Sequence, residues 1–211
     1  MDALCLIVSG GAFAPLPDDL PAPDFVIACD RGWQHAERLG ATPDLIVGDF
    51  DSAAAPRTDA PVERLPTRKD DSDTMYAARR AMALGFRSVA LCCAFGGRLD
   101  HTLANLQTAA WIVAHGGEAQ LLGVNERAFV FTAARRTFPR REGVSLSLFA
   151  LSDVCEGVTA RGTKFDCADV TLRSAFPLGV SNVWTAETAE IAVRSGILMV
   201  LQSKLQKGEH I

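Results

Sequence analysis

The sequence predicts an α/β domain built on a mainly parallel sheet, followed by an all-β domain that is either an antiparallel sandwich or a barrel. Two patterns predict it. Up to about residue 123, unbroken apolar runs that end in Gly or Asp alternate with stretches of helical periodicity, as in a sheet buried on both faces. From about Glu126 the helical periodicity stops, and short β-like runs follow one another between Gly, Asp, Asn and Pro. A boundary near 124–126 separates the two. With 211 residues, 48% of them hydrophobic, each part has material for a core.

Taken in order, Ala3–Val8 is the first buried strand, closed by Ser9-Gly10-Gly11, a pair that lets backbone approach a ligand. Pro15, Pro17, Pro21 and Pro23 mark a loop. Phe25–Cys29 is the second strand and ends in Asp30. A short helix from Trp33 to Leu39 stops at Gly40, and the third strand, Leu45–Val47, runs into Gly48, Asp49, Phe50 and Asp51. After a short strand at Val62–Leu65, Ser72 or Asp73 caps a helix running to Leu84, with Met75, Ala78 and Met82 on its apolar face. Arg87–Ala94 is the next strand. It leads through Phe95-Gly96-Gly97-Arg98 into a helix that starts at Asp100 or Thr102 and ends at His115, and Ala119–Gly123 closes the series. Beyond the boundary, β-like runs fall at 128–132, 144–149, 169–172, 189–193 and 197–201.

Composition excludes several classes. A net charge of −4 with interspersed signs argues against a nucleic-acid-binding face. No apolar run reaches membrane-spanning length, and the N-terminal apolar segment reads as a strand rather than a signal peptide. The six cysteines form no CxxC pair, and four of them sit in or at the end of apolar runs. They read as reduced structural thiols of a cytoplasmic protein.

The chemistry gathers at the carboxyl ends of the parallel strands, where open α/β sheets bind ligands. Asp30, Asp49 with Asp51, and the Gly96–His101 turn leave three strand ends, while Lys69, Asp70, Asp71 and Asp73 crowd a helix start. Two carboxylates about 4 Å apart repel by roughly 4 kcal/mol at an effective dielectric of about 20, so such a cluster calls for a cation or a proton. An acidic turn after one strand also suits simple solvation or helix capping. Four such segments at one edge point instead to a polyphosphate with bound Mg²⁺, held partly by Lys69, Arg98 and the free N–H groups of a helix start. GxxxxGK[ST] is absent, which excludes a P-loop enzyme.

Five segments together resemble the thiamin pyrophosphokinase family: DRG at 30–32, PDLIVGDFDS at 43–52, KDDSD at 69–73, GGRLDHTLAN at 96–105 and GVSN at 179–182. The resemblance implies an α/β catalytic and nucleotide-binding domain over 1–125. It implies an all-β sandwich over 126–211 that contributes to thiamin binding and dimerisation. It further implies transfer of diphosphate from ATP to the thiamin hydroxyl with release of AMP, and a homodimer with active sites at the interface. By motif, Asp30, Asp49, Asp51 and Asp73 would hold Mg²⁺ or the phosphates through it. Lys69, Arg98, Asp100 and His101 would hold the polyphosphate; Ser181 and Asn182 would contact thiamin, and Phe165 would stack on it. Asp73 or Asp100 would accept the hydroxyl proton. The family's DGG is Asp30-Arg31-Gly32 here, Ser72 stands for a Thr, and no acid follows Asn182. The same chemistry on a pterin-like hydroxymethyl acceptor, and a nucleotide- or thiamin-binding module without turnover, are the alternatives.

Overall fold

The computed structural model describes residues 3–50, 59–66 and 71–206. The chain divides into two compact units, Met1–Val124 and Asn125–Ile211.

In the first unit the apolar runs become strands β1 (Leu4–Val8), β2 (Phe25–Cys29), β3 (Leu45–Gly48), β4 (Val62–Arg64), β5 (Ser88–Cys92) and β6 (Glu118–Leu122). Their order is β6-β5-β1-β2-β3-β4, and every pairing between them is parallel. The chain moves outward from β1 to β4 and then returns to β5 on the other side of β1, so the direction of travel reverses between β1 and β5. That reversal opens a crevice at the carboxyl edge. Helix α1 (Gly32–Leu39) puts Ala36 against Leu4, Leu6, Val8 and Val26 on one face, where Phe13, Leu16 and Leu20 of the proline-rich loop complete the cover. Helix α2 (Asp73–Ala83) packs on β1, β2 and β3, and α3 (Leu99–Ala114) on β6.

The buried face of α2 differs from the one expected. Thr74, Ala77, Ala78 and Ala81 face inward, while Met75 and Met82 are only half-buried. Small side chains let the helix lie close to the sheet, where the Thr74 and Ser9 hydroxyls meet at 3.1 Å. Proximity to the sheet therefore outweighs side-chain size in setting the helix's rotation.

The second unit consists of two antiparallel sheets. One is ordered β12-β9-β14-β7, from β7 (Glu126–Phe131), β9 (Val144–Ala150), β12 (Gly179–Asn182) and β14 (Leu198–Lys204). The other is ordered β11-β10-β13-β8, from β8 (Ala134–Pro139), β10 (Val154–Arg161), β11 (Cys167–Arg173) and β13 (Thr188–Val193). Alternate residues of both sheets make one core: Leu146 and Leu148 of β9, Val158 and Ala160 of β10, Ala189, Ile191 and Val193 of β13, Leu198 and Val200 of β14. This is a β sandwich. Trp184 completes it, with its indole N–H donated to the Phe138 carbonyl at 2.9 Å. Strands β8, β10 and β12 lie outside the runs expected from sequence.

Candidate active site

The carboxyl edge of the parallel sheet brings together segments far apart in sequence. Asp30 follows β2 directly, and its N–H donates to the Val47 carbonyl of β3 at 2.7 Å. Gly48, last residue of β3, lies so close that a Cβ there would sit 3.0 Å from the Asp30 Cα. Asp49 is the next residue, so Asp30 and Asp49 leave adjacent strands side by side. Asp73 opens α2, and its carbonyl receives the Cys29 thiol at 3.6 Å, which brings the helix start to the end of β2. Ser72 caps that helix, its Oγ accepting the Met75 N–H at 3.1 Å. Asp30, Asp49 and Asp73 thus share the β2–β3 corner of the edge. Asp51, Lys69 and Asp70 lie outside the described residues.

The crevice beside β1 is lined by backbone. Ser9 N–H donates to the Cys92 carbonyl at 2.9 Å, and a Cβ on Gly11 would come within 2.4 Å of the Cys93 carbonyl, so the loops after β1 and β5 are in direct contact. Gly32 is equally confined, since a Cβ would lie 2.1 Å from the Val8 carbonyl. His35, 7% exposed, bonds the Gly11 carbonyl through Nε2 at 3.0 Å and holds this loop from below. Arg31 lays its aliphatic stem over Gly10.

Three non-glycine residues at this edge adopt the left-handed backbone: Asp30 (φ 44°), Phe50 (φ 55°) and Cys93 (φ 56°), one at the end of each of β2, β3 and β5. Such conformations cost on the order of 1–2 kcal/mol each and collect where a chain must turn sharply to aim a side chain.

After β5, Gly96 and Gly97 turn the chain into α3, whose first turn carries the remaining candidates. Arg98 grips Asp100 with two bonds, Nη2 to Oδ2 at 2.5 Å and Nε to Oδ1 at 3.1 Å, and Asp100 Oδ1 also accepts the His101 N–H at 2.9 Å. The hydrogen bond from Arg98 holds the Asp100 carboxyl below the usual carboxylate range. All three side chains face solvent, and the Arg98 side chain does not cap α3; with the His101 N–H taken by Asp100, the Leu99 and Asp100 N–H groups remain available at the helix start. Asn105, which sequence reasoning passed over, anchors the helix by donating from Nδ2 to the Ala94 carbonyl at 2.8 Å. Its signal was an Asn in the middle of a helix, where a buried polar side chain needs a partner.

The second unit carries the other candidates. Phe165 is 57% exposed, Ser181 is exposed with φ 59°, and Asn182 is buried beneath them. Asn182 Nδ2 donates to Thr163 Oγ1 (3.0 Å) and the Phe165 carbonyl (3.1 Å), and its Oδ1 accepts the Phe165 and Val183 N–H groups, both at 3.0 Å.

The donors at the β2–β3 corner are carboxylate oxygens, hard ligands suited to Mg²⁺. Among the described residues no three His, Cys, Asp or Glu side chains converge tightly enough to hold an ion by themselves. Mg²⁺ ordinarily takes one or two carboxylates and completes its shell with phosphate oxygens and water, so Asp30, Asp49 and Asp73 fit it as partial ligands. None of the six cysteines is in a disulfide; burial pushes Cys5 up to about 12, which suits an inert packing role. No helix among the described residues is long and apolar enough to cross a membrane.

Comparison with known proteins adds an independent line. The family model described as thiamin pyrophosphokinase, catalytic domain, matches residues 20–121, and the model described as thiamin pyrophosphokinase, vitamin B1 binding domain, matches residues 136–198. No curated protein matches the chain by sequence. Among solved structures, the chain is similar to thiamine pyrophosphokinase from Bacillus subtilis, with TM-score 0.84 and 21% identity over 96% of this chain and 100% of that one. It is similar to a thiamin pyrophosphokinase family protein from Enterococcus faecalis, with TM-score 0.77 and 25% identity over 97% and 100%. Thiamin pyrophosphokinase from Candida albicans follows the same fold, with TM-score 0.75 and 14% identity over 96% and 90%.

Proposed function

Because this chain belongs to the thiamin pyrophosphokinase family, we propose that it transfers the terminal diphosphate of ATP to the hydroxyl of thiamin, leaving AMP. The observation that supports the chemistry is that Asp30, Asp49 and Asp73 all stand at the β2–β3 corner of the sheet edge, with the exposed start of α3 at the same edge.

The α3 N–H groups and the Arg98 guanidinium bind phosphate oxygens; Arg98 keeps N–H groups beyond the two that grip Asp100. By motif, His101 and Lys69 would hold the same tail. Asp30, Asp49, Asp51 and Asp73 would hold Mg²⁺ together with the phosphates, and the ion when bound neutralises charge on the transferred group. The thiamin hydroxyl attacks the β-phosphorus in line, and the bond to the AMP oxygen breaks. The hydrogen bond from Arg98 holds Asp100 below the usual carboxylate range and weakens it as a base, as a bound cation would weaken Asp73, so the acceptor of the hydroxyl proton is either Asp73 or Asp100. Phe165 and Ser181 make up the thiamin end above the buried Asn182, with the exposed Phe165 ring as a stacking surface for the cationic heterocycle. A homodimer with active sites at its interface, in the cytoplasm and without nucleic acid or membrane as partner, completes the proposal.

Incubation with ATP, thiamin and Mg²⁺ tests it. Formation of AMP and thiamin diphosphate in equal amounts is expected; ADP as the product, or no turnover, would overturn it.

A further inference from the structure

We infer that Thr163, Asp166 and Asn182 form a positioning device for the Phe165 ring, and that Asn182 acts on thiamin only through Phe165. The inference rests on the thiamin-binding function proposed above.

A primary amide has two N–H donors and two lone-pair directions on its oxygen. Asn182, 6% exposed, has spent all of them inside the protein: Phe165 takes one donor and one acceptor position, Thr163 Oγ1 the other donor and the Val183 N–H the other acceptor position. Nothing on the side chain remains to meet a ligand. Thr163 is 4% exposed and links the amide to a carboxylate. Its Oγ1 receives the Asn182 N–H and donates to Asp166 Oδ1 at 3.0 Å, while its own N–H reaches the same oxygen at 2.8 Å. The turn from Thr163 to Asp166 is therefore closed on itself and clasped from β12 by Asn182. The Lys164 N–H adds a bond to the Val183 carbonyl at 2.9 Å.

At the tip of this turn stands Phe165. Both of its backbone polar groups are bound to the one buried amide, yet its ring is 57% exposed. Apart from the Lys164 ammonium, 5.5 Å from the ring centre, the aromatic faces solvent on a tightly held backbone; it is a prepared stacking surface, because the backbone ordering that binding would otherwise require is already done. A flat cationic heterocycle is the ligand such a surface favours.

Initial rates with thiamin and ATP varied separately test the device, in the wild type, Asn182→Ala, Thr163→Val, Thr163→Ser, Phe165→Ala and the Asn182→Ala/Phe165→Ala double variant. Amide hydrogen exchange of the 160–170 segment is followed in parallel. Asn182→Ala and the near-isosteric Thr163→Val should each raise KM for thiamin by about tenfold, with KM for ATP and kcat within about twofold of wild type. Both should speed exchange at Phe165, whereas Thr163→Ser, which keeps the hydroxyl, should match wild type in both readouts. The double variant should be no worse than Phe165→Ala. An Asn182→Ala effect that persists in full on the Phe165→Ala background would mean direct contact and would overturn the inference, as would unchanged thiamin KM in Thr163→Val. A wild type that forms no thiamin diphosphate would instead strike the proposed activity, while the exchange rates would still report whether the turn is held.

Discussion

Asp49 and Asp73 stand at the centre of the chemistry proposed for the β2–β3 corner, and each is reached by a different route. Asp49 is delivered by a strand, Asp73 by a capped helix start. Replacing either with Asn keeps its shape and removes its charge, so Asp49→Asn and Asp73→Asn should each lower the rate of AMP formation by about 10²-fold or more without loss of the folded state. Coupled assays beside circular dichroism check both halves of that expectation. Asp166 makes a different statement. The Thr163 N–H first, and then the Thr163 hydroxyl, hold its carboxyl below the ordinary value. A depressed folded-state pKa gives stability that is present above the unfolded value of about 3.9 and is lost as pH falls through the folded one. Exchange protection at Phe165 should therefore hold from neutral pH down to about pH 4 and weaken as pH falls further, through the folded-state value, and Thr163→Val, which removes the hydroxyl but keeps the N–H bond, should reduce that pH dependence.

At the level of elements, two junctions set the geometry of the edge. The first is α2 against β1 and β2, held by the Ser72 cap, the Ser9–Thr74 hydroxyl pair and the Cys29 thiol. Ser72→Ala should cost about 1 kcal/mol, about 2–4 °C in Tm, and should raise KM for ATP more than KM for thiamin because the helix start carries Asp73. The second is α1 against β1, where Gly32 meets the Val8 carbonyl. Gly32→Ala has no room for its methyl group and should destabilise the first unit by several kcal/mol, seen as loss of soluble protein or a sharply lowered Tm. That constraint explains why the third residue of Asp30-Arg31-Gly32 is Gly while the second tolerates Arg: the Arg31 side chain points out over Gly10, whereas any side chain at Gly32 points into β1.

For the molecule as a whole, the proposed reaction would divide between the two units, phosphate on the parallel sheet flanked by helices and thiamin on the antiparallel sandwich. A homodimer with shared sites predicts about twice the 22.6 kDa chain mass by light scattering at assay concentrations. A monomer that turns over at full rate would refute the shared site.

The parallel strands were legible from sequence because strands buried on both faces read as continuous apolar runs, and each run of the first unit became one. Asp30, Asp49 and Asp73 were legible for the same reason: they directly follow or precede those elements. Strands β8, β10 and β12 were not, since β8 is interrupted by Arg135, Arg136 and Pro139, β10 carries a left-handed Gly157, and β12 spans only Gly179–Asn182. Local pattern alone established an α/β unit followed by an all-β one, and that Asp30 and Asp49 follow the second and third strands; it left the α2 cap between Ser72 and Asp73 and started α3 late, at Asp100 or Thr102 instead of Leu99. Tertiary structure alone decided that Thr74 rather than Met75 faces the sheet, that Arg98 is paired with Asp100, and that the Asn182 amide is consumed in holding Phe165. The reason is physical: periodicity records which residues leave water, whereas hydrogen-bond partners are chosen by side chains that meet only after distant segments have packed.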